Sequence, residues 1–220
     1  MSVAAIVFDM DGLLIDTEPL YKEAWQRAAR ESGVELTDQM YSRFVGRSNV
    51  ESEAEIAWLF GPAFPIHVFR ARWPEIWQQR ALESGLPTKP GVPELLDFVE
   101  ERRVPAAVAT SSDMAFTKFS LEAARLIDRF KYLVTGDEVE MGKPAPDIYL
   151  EAARRLGVDA ADCVAFEDSE AGTIAASGAG MRVVLVPDIQ SPSDAAREAA
   201  TVVLTSLHDA LPLLTSWLGR

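Results

Sequence analysis

Residues 3–8 form an almost unbroken apolar run, Val3-Ala4-Ala5-Ile6-Val7-Phe8, and the polarity then switches to Asp9-Met10-Asp11-Gly12. A short apolar run that ends at a turn residue predicts a strand buried on both faces. Beyond Asp16-Thr17 the period changes. Leu20, Tyr21, Ala24, Trp25, Ala28 and Ala29 recur at helical spacing up to Ser32-Gly33, with Thr17 at the N-cap and Pro19 in the first turn. Further helices are predicted over residues 37–44, 49–60 and 65–84, separated by Gly46, Gly61-Pro62 and Gly85. No strand pattern interrupts them. From Lys89-Pro90-Gly91 onward the chain alternates between helices and short apolar strands. Helices are predicted over 92–102, 113–126, 146–156, from after Ser169 through Ala176, and up to Trp217; strands are predicted over 105–109, 132–135, 163–166, 182–186 and 202–204. Strand-helix alternation of this length predicts an α/β fold, a Rossmann-like parallel sheet with helices on both faces. The uninterrupted helices read as an all-helical cap domain inserted into it. The expected division is a core of residues 1–14 and 88–220 and a helical cap of residues 15–87, in whose interior Trp25, Trp58, Trp73 and Trp77 are expected.

Composition narrows the function. With 48% hydrophobic and 25% charged residues, the 220-residue chain can bury a substantial core, and its net charge of −13 argues against nucleic acid or an anionic membrane surface as partner. An anionic substrate must therefore be attracted locally. No apolar stretch reaches the roughly 18 residues of a membrane span, and the chain opens on a strand without a basic leader, so a cytoplasmic protein is expected. Nothing demands a dimer, and a monomer is the expected state. Cys163 stands alone inside an apolar run and reads as a buried core residue, while His67 and His208 lie far apart without ligand spacing. Zinc and phosphohistidine chemistry are poorly supported.

The chemistry gathers at strand ends, which a parallel sheet brings to one edge. Asp9 and Asp11 share a face of an extended segment, and Gly12 lets the backbone turn after them. Paired carboxylates repel unless a cation or a shared proton intervenes, so one acid can attack while the other gives and takes a proton. Thr110 and Ser111 follow a strand and precede a helix, where hydroxyls and backbone amides make an anion site. Lys143 is fixed in Gly142-Lys143-Pro144-Ala145-Pro146, and Glu167-Asp168 repeats the opening logic at another strand tip. Oxygen ligands from Asp9, the Asp11 carbonyl and Asp168 suit Mg²⁺ with a phosphate oxygen in its shell. Asp9 can then attack phosphorus in line while Asp11 protonates the leaving oxygen, giving covalent catalysis through an aspartyl phosphate.

Asp9-Met10-Asp11-Gly12-Leu13-Leu14-Ile15-Asp16, then Thr110, then Gly142-Lys143-Pro144, then Glu167-Asp168-Ser169-Glu170-Ala171-Gly172 resemble, in order, the four motifs of the haloacid dehalogenase superfamily. The resemblance covers nearly the whole chain, and the helical insert resembles the cap of the subfamily of β-phosphoglucomutase and 2-deoxyglucose-6-phosphate phosphatases. It implies Asp9 as nucleophile, Asp11 as acid/base, Thr110 and Lys143 as phosphate binders, and Asp9, Asp11 and Asp168 around Mg²⁺ with Glu167 beside them. A second acid at Asp11 argues against halide displacement, which needs no proton donor. The mutase pattern carries a histidine where this chain has Tyr21, whereas Glu18-Pro19-Leu20-Tyr21 resembles the hexose-phosphate phosphatases. A phosphatase of sugar phosphates is therefore expected, with a phosphomutase as the alternative. A phosphate-binding receiver also uses a strand-end Asp and a Lys, but it needs no inserted helices. Substrate choice is expected from the insert, with Arg47 as the candidate contact, and closure about linkers near Ile15 and Pro87 would exclude water.

Overall fold

The computed structural model describes residues 3–44, 49–188 and 191–218, and the side chains of all of these but residues 49–51. Arg47 lies outside the described residues. The chain divides into two compact units, Thr17–Leu86 and the discontinuous Met1–Asp16 with Pro87–Arg220.

The unit Thr17–Leu86 is helical: α1 Glu18–Glu31, α2 Asp38–Tyr41, α3 Asn49–Phe60 and α4 Ile66–Ser84. Its interior is aromatic. Trp25 packs against Tyr41, Phe44, Phe69 and Trp73, and Tyr21 against Trp73 and Trp77. Glu53 is buried here because Trp73 Nε1 and Arg70 Nε donate to its two oxygens, at 3.1 and 2.6 Å. Two expectations are corrected. Trp58 is 74% exposed and outside this interior, because α3 is apolar around much of its circumference and periodicity alone does not choose its buried side. Thr17 precedes α1 but its hydroxyl makes no capping bond, its backbone being already helical, whereas Thr37 does cap α2 by accepting from the Met40 amide.

The other unit holds the sheet: β1 Ala5–Phe8, β2 Ala106–Thr110, β3 Tyr132–Thr135, β4 Cys163–Glu167, β5 Arg182–Leu185 and β6 Val202–Val203. All pairings are parallel, in the order β3-β2-β1-β4-β5-β6. The helices are α5 Val92–Glu101, α6 Met114–Ala123, α7 Asp147–Leu156, α8 Glu170–Gly178, α9 Asp194–Ala199 and α10 Ala210–Leu218. Chain order reverses direction across the sheet between β1 and β4, so the crevice beyond their carboxyl ends is where an open α/β sheet binds ligands. On one face Ala5, Val7, Ala107, Ala109, Cys163 and Ala165 pack against Ile148, Tyr149, Ala152 and Ala153 of α7. Small strand residues let α7 approach closely. Helix α9 was not legible in the sequence, because only Ala196 of its six residues is buried and no stripe forms. Among the described residues no helix is long and apolar enough to cross a membrane.

Candidate active site

Strand register places the first acids. Val7 of β1 faces Ala165 of β4, and both belong to the α7 side of the sheet. One pleat further on, Asp9 and Glu167 continue the same two rows, so two carboxylates emerge side by side, buried, at the switch point. Asp9 is held in line by its amide, which donates to the Phe166 carbonyl at 3.0 Å.

Lys143, on the loop before α7, lies between these acids. Its ammonium donates to Asp9 Oδ1 at 2.5 Å, to Glu167 Oε1 at 2.6 Å and to the Ala109 carbonyl at 3.1 Å. All three of its protons are used, and its side chain is only 5% exposed. Burial opposes its charge, but Asp9 and Glu167 outweigh burial and hold the ammonium well above the ordinary lysine pKa. Glu167 is itself saturated. Oε1 also accepts from the Tyr149 hydroxyl at 2.6 Å, and Oε2 accepts from the amides of Asp168 and Ser169, both at 3.1 Å, and from the Ser169 hydroxyl at 2.9 Å. Ser169 also caps α8 by accepting from the Gly172 amide. A Cβ on Gly172 would lie 1.7 Å from Glu167 Oε1, so only glycine fits under the carboxylate.

Asp11 is reached from β2: the Ser112 hydroxyl donates to its Oδ2 at 3.0 Å. Thr110 is buried at the end of β2 and its hydroxyl accepts from the Ser112 amide at 3.2 Å. Ser111 is exposed, and its carbonyl packs over Gly136. Capping of α6 falls to Asp113, which accepts from Phe116. Sequence reasoning singled out Ser111, whereas the hydroxyl that contacts an acid is Ser112, one residue on. It also passed over Tyr149, which lies in an apolar stripe, and the ion pair of Lys89 with Asp188 at 2.5 Å, whose partners are 99 residues apart. Lys89 lies 3.5 Å from Asp16 as well. Gly12 turns with φ +84°, and a Cβ there would meet Asp168 Oδ2 at 2.3 Å, so the turn and the close approach both require glycine.

The electrostatics call for a cation. One oxygen from each of Asp9, Glu167 and Asp168 lies within 4.8 Å of the others. Burial, partly offset by Lys143 and reinforced by Glu167, pushes Asp9 up to about 8, and burial with the Asp9 and Glu167 charges pushes Asp168 well above the usual carboxylate range. A single ammonium does not neutralise this group, and all-oxygen donors match a hard divalent ion such as Mg²⁺.

Comparison with known proteins shows the family of the chain. The haloacid dehalogenase-like hydrolase family matches residues 3–180. Phosphorylated carbohydrates phosphatase of Thermotoga maritima is 36% identical over 214 residues, 96% of this chain and 97% of that protein. Hexitol phosphatase B of Escherichia coli O157:H7 is 31% identical over 218 residues, 94% of each chain. A solved Thermotoga maritima structure, provisionally assigned as a beta-phosphoglucomutase, superposes with a TM-score of 0.86 at 34% identity, over 98% of this chain and 99% of that one.

Proposed function

The chain belongs to the haloacid dehalogenase-like hydrolase family and is a phosphatase of the HAD type, and on that premise we propose that it hydrolyses sugar phosphates through an aspartyl phosphate on Asp9. The observation that carries the proposal is the buried triad of Asp9, Lys143 and Glu167 at the sheet's switch point, with Asp11 and Asp168 beside it. An Asp9 oxygen attacks phosphorus and the ester P–O bond breaks, while Asp11 gives its proton to the departing sugar oxygen. Asp11 then takes a proton from water, whose oxygen attacks the same phosphorus. The Asp9–phosphorus bond breaks and inorganic phosphate leaves. The Lys143 ammonium and the Thr110 and Ser111 region hold the phosphoryl oxygens, and Ser112 orients Asp11.

Asp9, Asp168 and the Asp11 main-chain carbonyl would hold Mg²⁺, which supplies the neutralising charge that lets a carboxylate meet a phosphate dianion. Glu167, expected beside the metal, has both oxygens engaged by protein donors, which supports a role in fixing Lys143. Two relatives are named for phosphorylated carbohydrates and hexitol phosphates, which supports sugar or sugar-alcohol phosphates as substrates. Arg47 of the helical insert is the proposed substrate-selecting residue. Tyr21 packs its ring on Trp73 and Trp77 at the position where a mutase pattern has histidine, which favours hydrolysis over transfer to a second sugar hydroxyl. A cytoplasmic monomer is the proposed setting.

Phosphate release from hexose, pentose and hexitol phosphates, with Mg²⁺ and with chelator, tests the proposal. Mg²⁺-dependent release is the expected result, and conversion of β-glucose 1-phosphate to glucose 6-phosphate with little free phosphate would make the chain a mutase instead. Asp9→Asn should abolish turnover while keeping the circular dichroism spectrum. Near-normal activity in that variant would refute the covalent mechanism.

A further inference from the structure

We propose that Tyr149 is a positioning residue for the phosphoryl-binding cation, acting on Lys143 through Glu167; the inference rests on the phosphatase reading above. Tyr149 is fully buried on α7, in an apolar cluster that a phenylalanine ring would fill equally well. Its hydroxyl nevertheless has a specific address, Glu167 Oε1 at 2.6 Å, the oxygen that Lys143 also grips at 2.6 Å. The Lys143 ammonium lies 5.2 Å from the centre of the Tyr149 ring, so one side chain supplies both a wall for the ammonium and a competitor for its acceptor. The three donors on Oε2 prevent the carboxylate from swinging to compensate.

The competition matters because every Lys143 proton already has an acceptor, so an arriving phosphoryl oxygen must displace one of them. Glu167 Oε1 divides its charge between two donors. With the hydroxyl removed, Lys143 becomes its only donor among the described residues, and the ammonium is held more firmly by Glu167 and less available to the phosphoryl group. Tyr149 thereby keeps the cation poised toward Asp9.

Tyr149→Phe keeps the ring and removes only the hydroxyl. At saturating Mg²⁺, and well below the variant's melting temperature, kcat/KM for the best sugar phosphate should fall about tenfold. Inorganic phosphate, titrated by calorimetry into the Mg²⁺-loaded protein, should bind about fivefold more weakly. A purely structural tyrosine would lower the melting temperature and leave both quantities unchanged, and that result would overturn the proposal. A double-mutant cycle tests the route: on a Glu167→Gln background, Tyr149→Phe should change kcat/KM by less than about twofold. Equal losses on both backgrounds would overturn action through Glu167. A wild-type protein inert toward every ester tested would overturn the phosphatase reading and this inference with it, whereas an active wild type with an unaffected Tyr149→Phe variant overturns the inference alone.

Discussion

Gly172→Ala separates two physical expectations by their sign. Gly172 lies inside α8, where replacing glycine by alanine should stabilise a helix by about 0.5–1 kcal/mol. The added Cβ, however, falls 1.7 Å from Glu167 Oε1, 2.0 Å from its Cδ and 2.4 Å from Oε2. Either the carboxylate leaves the donors that hold it, which takes a partner from Lys143, or α8 moves off the sheet and gives up buried packing; breaking a buried pair of this kind costs about 3–5 kcal/mol. Subtracting the helix gain leaves a net loss of about 2–4 kcal/mol, which for a chain of this size lowers the melting temperature by roughly 5–15 °C. Gly178 is the control in the same helix. A Cβ there comes no closer than 3.7 Å to Pro146, an ordinary contact, so Gly178→Ala should leave the melting temperature unchanged or raise it by a few degrees. Thermal unfolding of both variants beside the wild type, with phosphatase activity measured on each, completes the test. A Gly172→Ala protein as stable and as active as the wild type would show that Glu167 is not held where its donors put it.

The sheet, and the strand-end acids and Lys143 that the structure brings together, were legible because both are written in local pattern. Buried parallel strands are short apolar runs, helices carry a stripe, the acids sit at or just after strand ends, and Lys143 sits in the loop before α7 between Gly142 and Pro144. The role of Tyr149 was not legible for the opposite reason. With Ile148, Ala152 and Ala153 it completes a helical stripe, and only the packing of α7 on the sheet reveals that the Glu167 carboxylate lies beneath its hydroxyl. The choice between Ser111 and Ser112 depends on how the chain leaves β2, a backbone property that four consecutive small polar residues do not encode. Lys89 and Asp188 meet only through tertiary structure. Trp58 was misplaced because a helix apolar on several sides offers no periodic signal to decide which side is buried.

Two further measurements follow from the same structure. Trp58→Ser should shift the melting temperature by no more than about 2 °C, because an exposed surface substitution changes stability by about 0.5 kcal/mol or less; a loss comparable to a core tryptophan would place Trp58 in an interior. The second concerns pH and metal together. Asp9, at about 8, and Asp168, well above the usual range, hold protons in the folded, metal-free protein that the unfolded chain has already lost. A raised acid contributes stability fully below its unfolded pKa and loses it as pH rises through the folded value, so chelator-treated protein should lose melting temperature between about pH 5 and pH 9. Mg²⁺ binds the ionised carboxylates, so its affinity should rise over that window by up to about tenfold per pH unit for each proton displaced, and the decline in melting temperature should flatten when it is present. Calorimetric titration of Mg²⁺ in two buffers of different ionisation enthalpy counts those protons directly. An affinity independent of pH, with no proton released, would mean that the buried acids are already ionised and that some other charge neutralises them.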